Sequence, residues 1–113
     1  MTGTILVVDD ERGQREILDI ILKKEGYRVA SVDGAREALQ RLELEEYDII
    51  LTDLKMQGMS GMELLESVLG ENPQQCIIIM TAHGTIDSAV EAMKKGAFDY
   101  LEKPLERETL LLT

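Results

Sequence analysis

A single cysteine, Cys76, denies the chain any internal disulfide, and that scarcity suits a reducing cytosol. Basic residues are also few: 12 Lys and Arg stand against 22 Asp and Glu, leaving a net charge of -10. Such a balance opposes direct nucleic-acid binding, where clustered Lys and Arg must meet the phosphate backbone. It suits protein partners, or a surface that concentrates cations at one place. No apolar run approaches the roughly 20 residues needed to span a bilayer. The apolar segment Ile5 to Val8 ends at two aspartates, so a signal peptide is not expected either. Repeats, low-complexity tracts and linkers are missing as well. What is present is 113 residues, 44% of them hydrophobic, enough for one compact domain with a real core. A cytoplasmic, acidic protein with one domain over residues 1–113 is the expectation.

Short apolar runs alternate with amphipathic stretches along the whole chain. Ile5-Leu6-Val7-Val8 is β-branched and uninterrupted, the pattern of a strand buried on both faces. Ile17, Leu18, Ile21 and Leu22 recur at helical spacing, and Gly26 is placed to close that helix. Tyr27 to Val32 is a second, more polar strand, suited to an edge. Asp33 is expected to cap a helix buried through Ala35, Ala38, Leu39 and Leu42. Ile49 to Leu51 forms a third strand. Ser60 and Glu63 have capping-box spacing and open a helix buried through Met62, Leu65, Val68 and Leu69. Asn72-Pro73 turns the chain into a fourth strand, Cys76 to Met80. Ile86, Ala89, Val90 and Met93 form the next stripe, expected to face the core and to stop at Gly96. Phe98 to Leu101 is a short fifth strand, and Leu105 begins a last helix. Strict β-α alternation with short loops predicts a parallel sheet covered by helices on both faces. Ligands of such folds bind beyond the carboxyl ends of the strands.

Reading each strand to its end collects Asp9 and Asp10, then Asp53, Thr81 and Lys103. Strand ends commonly meet solvent, so any one of these residues is unremarkable alone. All five on one rim are harder to dismiss. Three neighbouring carboxylates repel, and a hard cation bound through oxygen relieves them. Mg2+ suits the role because it takes few carboxylates, keeps waters and accepts a phosphate oxygen. A carboxylate can itself carry a phosphoryl group as an acyl phosphate. Such transfer needs its developing charge neutralised, by metal on one side and a fixed cation such as Lys103 on the other. Thr81 adds a hydroxyl donor. The set points to phosphoryl chemistry.

The segments Val7-Val8-Asp9-Asp10-Glu11, Asp53-Leu54-Lys55-Met56, Thr81-Ala82 and Lys103-Pro104 resemble the signature blocks of bacterial response-regulator receiver domains. The likeness covers essentially the whole chain. It implies a flavodoxin-like α/β fold, with a five-stranded parallel sheet in order 2-1-3-4-5 flanked by five helices. It implies a two-component phosphorelay switch, not an enzyme acting on a separate substrate. A sensor histidine kinase would donate a phosphoryl group to Asp53. Mg2+ would be held by Asp9, Asp10, Asp53 and the backbone carbonyl of Lys55. Thr81, Ala82 and Lys103 would meet the phosphoryl oxygens, with Ala82 small enough to leave access. Thr81 and Tyr100 would be the switch pair. Lys55 and His83 would flank the phosphoryl group and tune its hydrolysis, although a lone loop histidine is ordinarily just solvated. The Lys103-Pro104 bond would be cis.

Within the family, Gly84-Thr85-Ile86 followed by Ala92-Met93-Lys94-Lys95-Gly96-Ala97 resembles the receivers of nitrogen-regulator-class enhancer-binding transcriptional activators. That likeness implies an N-terminal fragment of a longer regulator whose C-terminal output domains lie elsewhere. The mixed charges Asp87, Glu91, Lys94, Lys95, Glu102, Glu106 and Arg107 could serve a phosphorylation-dependent homodimer. Gln57 departs from the family, which usually places proline there; proline would fix φ and remove a donor, so this loop is expected to be looser. Cys76 and the cluster Met56, Met59 and Met62 are best explained by packing, because no basic neighbour or second soft ligand joins them. The strongest rival function is a Mg2+-dependent phosphohydrolase with an aspartyl nucleophile. Those of the haloacid dehalogenase type need Asp-x-Asp and a cap, neither of which is here. A non-phosphorylated relic would have lost an acid, Thr81 or Lys103. A flavin carrier would not set Asp9-Asp10-Glu11 against its cofactor's phosphate.

Overall fold

A computed structural model of the chain describes residues 3–82 and 84–102. Expectations placed on His83, Lys103, Pro104 and a last helix from Leu105 lie outside those residues.

The elements run β1 (Thr4–Val8), α1 (Arg12–Lys24), β2 (Arg28–Val32), α2 (Ala35–Leu44), β3 (Ile49–Asp53), α3 (Gly61–Glu71), β4 (Cys76–Thr81), α4 (Ile86–Lys94) and β5 (Asp99–Glu102). All strand pairings are parallel, and the order is β2-β1-β3-β4-β5, as expected. The three central strands are the uninterrupted apolar runs. Leu6, Val7, Val8, Ile50, Ile77, Ile79 and Met80 are wholly buried, each contributing on the order of 1.5–3 kcal/mol. Alternation splits them between two layers. Leu6, Val8, Ile50, Ile77 and Ile79 pack beneath α2 and α3, while Val7, Leu51, Ile78 and Met80 face Leu18 and Leu22 of α1. No helix of the described residues is long and apolar enough to cross a membrane.

Helix ends follow local chemistry. At the end of α1, Gly26 takes φ +93°, its N–H donating to the Lys23 carbonyl and that of Tyr27 to the Leu22 carbonyl. This pair of bonds is the Schellman closure that a left-handed glycine permits. Ser60 and Glu63 form the expected reciprocal capping box of α3. Asp33 does not cap α2. The N-cap is Gly34, and no side chain caps that turn, so Asp33 stands one residue too early. β2 starts at Arg28 and β5 at Asp99, each one residue later than the sequence suggested.

The larger correction is α4. Its apolar stripe was expected to face inward, but Ile86 is 83% exposed, Val90 47% and Met93 48%; Phe98, which follows the helix, is 59% exposed. Only Ala92 of this helix is buried. The helix is seated by small residues and polar ties. Lys95 just beyond it pairs with Glu66 of α3 at 2.8 Å, a contact that raises the lysine pKa. Cys76 opens β4 at the sheet edge opposite Asp53, and partial burial pushes its thiol pKa up, as suits packing rather than reactivity.

Candidate functional site

β1 and β3 are neighbours with Val8 opposite Thr52. The residues that follow, Asp9 and Asp53, therefore arrive side by side at the carboxyl edge of the sheet. Asp10 joins them from the turn into α1. One carboxylate oxygen from each of the three lies within 4.8 Å of the others. Asp9 is wholly buried, Asp53 is 6% exposed, and Asp10 faces solvent. Like charges at that separation repel by roughly 3–4 kcal/mol at an effective dielectric near 20. The donor set is oxygen only, with no histidine or thiol, open on one side and acidic beyond what the fold requires. It fits a hard, partly hydrated divalent cation such as Mg2+.

Backbone hydrogen bonds hold the acids in place. The Glu11 N–H donates to Asp9 Oδ1 at 2.9 Å, and the Asp9 N–H donates to the Val32 carbonyl at 3.2 Å. The Lys55 N–H reaches Asp53 Oδ1 at 3.4 Å, while the Lys55 side chain is exposed. Leu54 continues the β3 line by donating to the Met80 carbonyl at 2.9 Å. Thr81 ends β4 one residue beyond the partner of Asp53 and is 1% exposed; Ala82 follows it into solvent.

Two glycines shape the rim, and neither was singled out for this from the residues alone. A Cβ on Gly61 would overlap the carbonyl oxygen of Asp53, so the first turn of α3 can press against that strand only through glycine. The Gly61 N–H donates to the Leu54 carbonyl at 2.8 Å in the same contact. A Cβ on Gly84 would lie 2.7 Å from the Tyr100 hydroxyl and 3.0 Å from Thr81 Cγ2. The notch at Gly84 is thus bordered by both Thr81 and Tyr100. Tyr100 is half-buried against the core, and its hydroxyl meets Ser88 Oγ at 2.7 Å. Ser88 also completes a reciprocal capping box with Thr85 at the start of α4. One hydroxyl therefore connects β5 to the N-terminus of α4.

The sequence matches the response regulator receiver domain over residues 5–113. It is 43% identical to the transcriptional regulatory protein ZraR of Klebsiella oxytoca over 109 residues, covering 96% of this chain and 25% of that protein. The DNA-binding transcriptional regulator NtrC of Proteus hauseri is 40% identical, with 97% of this chain and 24% of that protein covered. Among solved structures, the beryllofluoride-activated NtrC4 receiver domain dimer superposes with a TM-score of 0.93 at 36% identity, covering 97% of this chain and 91% of that one. The chain spans about a quarter of the length of the curated relatives it matches. These relatives agree with the nitrogen-regulator-class likeness of Gly84 to Ala97. With the 2-1-3-4-5 sheet and the acidic triad at its carboxyl edge, the match over nearly the whole chain places this protein in the response regulator receiver domain family.

Proposed function

We propose that Asp53 is the phosphoacceptor of a two-component switch, supplied by the phosphohistidine of a sensor kinase. The observation that carries this reading is the meeting of Asp9, Asp10 and Asp53 within 4.8 Å at the end of β3. An Asp53 carboxylate oxygen attacks phosphorus, the P–N bond to histidine breaks, and an acyl phosphate forms. Asp9, Asp10, Asp53 and the carbonyl of Lys55 would hold Mg2+, which when bound neutralises charge on the phosphoryl oxygens. Thr81, Ala82 and Lys103 meet the remaining oxygens, and Lys55 and His83 set access of water. The chain turns over no separate substrate. It serves as the cytoplasmic receiver of a longer transcriptional regulator whose output domains respond to its surface.

Incubation with Mg2+ and acetyl phosphate should add one phosphoryl group to the intact mass, stable to acid and labile to hydroxylamine. Steady release of phosphate with no adduct would instead favour the phosphohydrolase.

The output surface is α4 with β5. Ile86, Val90 and Met93 lie at helical spacing and are exposed, as is Phe98 after the helix, and Asp87, Glu91, Lys94 and Lys95 are interspersed with them in sequence. This apolar strip with mixed charges suits a two-fold contact with a second copy. Capture of the Thr81 hydroxyl by a phosphoryl oxygen would draw it from the Gly84 notch, letting Tyr100 turn inward and release Ser88. Shifting such an equilibrium from mostly off to mostly on takes about 5 kcal/mol. A few charge-assisted phosphate contacts supply that amount. Beryllofluoride with Mg2+ should therefore move amide resonances across residues 86–102 and promote self-association, and Ile86→Glu should block the association alone. Resonance changes confined to the neighbourhood of Asp53 would refute this coupling.

A further inference from the structure

The start of α1 lacks the usual fastening. Glu11 occupies the N-cap position without a side-chain cap bond, and the first turn carries no acidic residue. Yet this junction bears Asp9 and Asp10, whose placement the acidic site depends on. The fastening comes from the second turn instead. Arg15, half-buried, reaches back so that Nη1 donates to the carbonyl oxygen of Asp9 at 2.6 Å. Two other bases of the helix engage differently: Arg12 pairs with Glu16 at 3.0 Å and Lys23 with Asp19 at 3.1 Å, both along the helix surface. Arg15 alone of these is turned onto the backbone of the acidic junction.

We infer that Arg15 is a positioning residue for the divalent-cation site, fixing the Asp9 peptide so that the Asp9 and Asp10 carboxylates stay aimed at Asp53. This rests on the proposed Mg2+ role of that cluster. Among the bonds that hold Asp9 are those of Arg15 to its carbonyl, of its N–H to the Val32 carbonyl, and of the Glu11 N–H to its carboxylate. The guanidinium is the one side chain among them. A charge-assisted bond to a carbonyl is stronger than a neutral one and directional, which suits holding a peptide plane. Two effects of removing Arg15 have opposite signs. Loss of a positive charge beside a cation site, taken alone, should tighten Mg2+ binding. Loss of the clamp should weaken it, because outer partners that orient ligands commonly contribute about 10-fold or more in metal affinity. The positioning role requires that the second effect win.

The experiment is a Mg2+ titration of the full chain followed by amide resonances, on the parent, Arg15→Ala and Arg15→Lys. Arg15→Ala should bind Mg2+ about 10-fold more weakly. Arg15→Lys should fall closer to the parent, since its ammonium still donates to one carbonyl. Without metal, hydrogen exchange at the Glu11 amide should quicken in Arg15→Ala while amides of β4 keep their protection. Magnesium affinity equal to or tighter than the parent's would overturn the inference, even if Arg15→Ala melts earlier, since a merely structural role lowers stability alone. So would unchanged exchange at Glu11. A parent indifferent to Mg2+ would instead remove the proposed metal site and the inference with it, whatever Glu11 does.

Discussion

Asp53→Asn should take up no phosphoryl group from acetyl phosphate or from a kinase, while the sheet stays folded. The amide nitrogen's lone pair is delocalised, and the amide oxygen carries no full charge, so the side chain is no nucleophile here. Shape is almost unchanged, so β3 has no reason to leave its register with β1 and β4. Stability without metal should even rise, because one of three carboxylates within 4.8 Å becomes neutral. Affinity for Mg2+ should fall for the same reason. The three effects together separate loss of chemistry from loss of structure: no adduct by mass, an equal or higher Tm, and a weaker response to Mg2+. If Asp53→Asn gains hydroxylamine-labile phosphate at a rate comparable to the parent, the nucleophile lies elsewhere.

The largest structural effect is expected from the smallest addition, Gly61→Ala. The added methyl overlaps the carbonyl oxygen of Asp53 and crowds the Leu54 backbone, and neither is a flexible side chain that can swing aside. Relief requires α3 to withdraw from β3, which strains the Gly61 to Leu54 hydrogen bond and loosens Leu64 and Leu65 in the core. Overpacking of this kind costs about 2 kcal/mol, on the order of 8 °C in Tm for a domain of this size. Alanine at Gly70 is the control. That glycine lies in the same helix with open space around its Cβ, so alanine there should be neutral or mildly stabilising. Equal melting temperatures for the Gly61 and Gly70 variants would show that α3 accommodates the methyl without cost.

Why some of this was legible beforehand is a matter of which physical constraint each residue answers to. β1, β3 and β4 are buried on both faces, so their sequences are uninterrupted apolar runs that few other elements produce. The acidic rim was legible because the ends of β1 and β3 carry the same chemistry, and topology brings them together. α4 was misjudged because an apolar stripe at helical spacing shows that one side of a helix differs from the other. It does not show what covers that side. Ala92 proved to be the buried residue, small enough to set the helix close to its neighbours, while the larger residues are about half exposed or more. Gly61 and Arg15 were overlooked for a shared reason. Each acts on a backbone carbonyl, one of Asp53 and one of Asp9, and a carbonyl leaves no trace in residue identity. Asp33 against Gly34 was an ambiguity of one position, which capping preference alone does not settle.

The outward stripe of α4 has a consequence for how such a protein can diversify. Ile86 lies largely in water and Val90 and Met93 about half so, and exchanging such surface residues usually changes the free energy of folding by less than about 0.5 kcal/mol. Asp9 and Asp53, by contrast, are buried at the end of the sheet, where almost any exchange is felt. The exposed stripe and the buried acids therefore stand in separate places, with separate tolerances. Descendants of this chain could rewrite three exposed side chains while the buried Asp9 and Asp53 stay as they are.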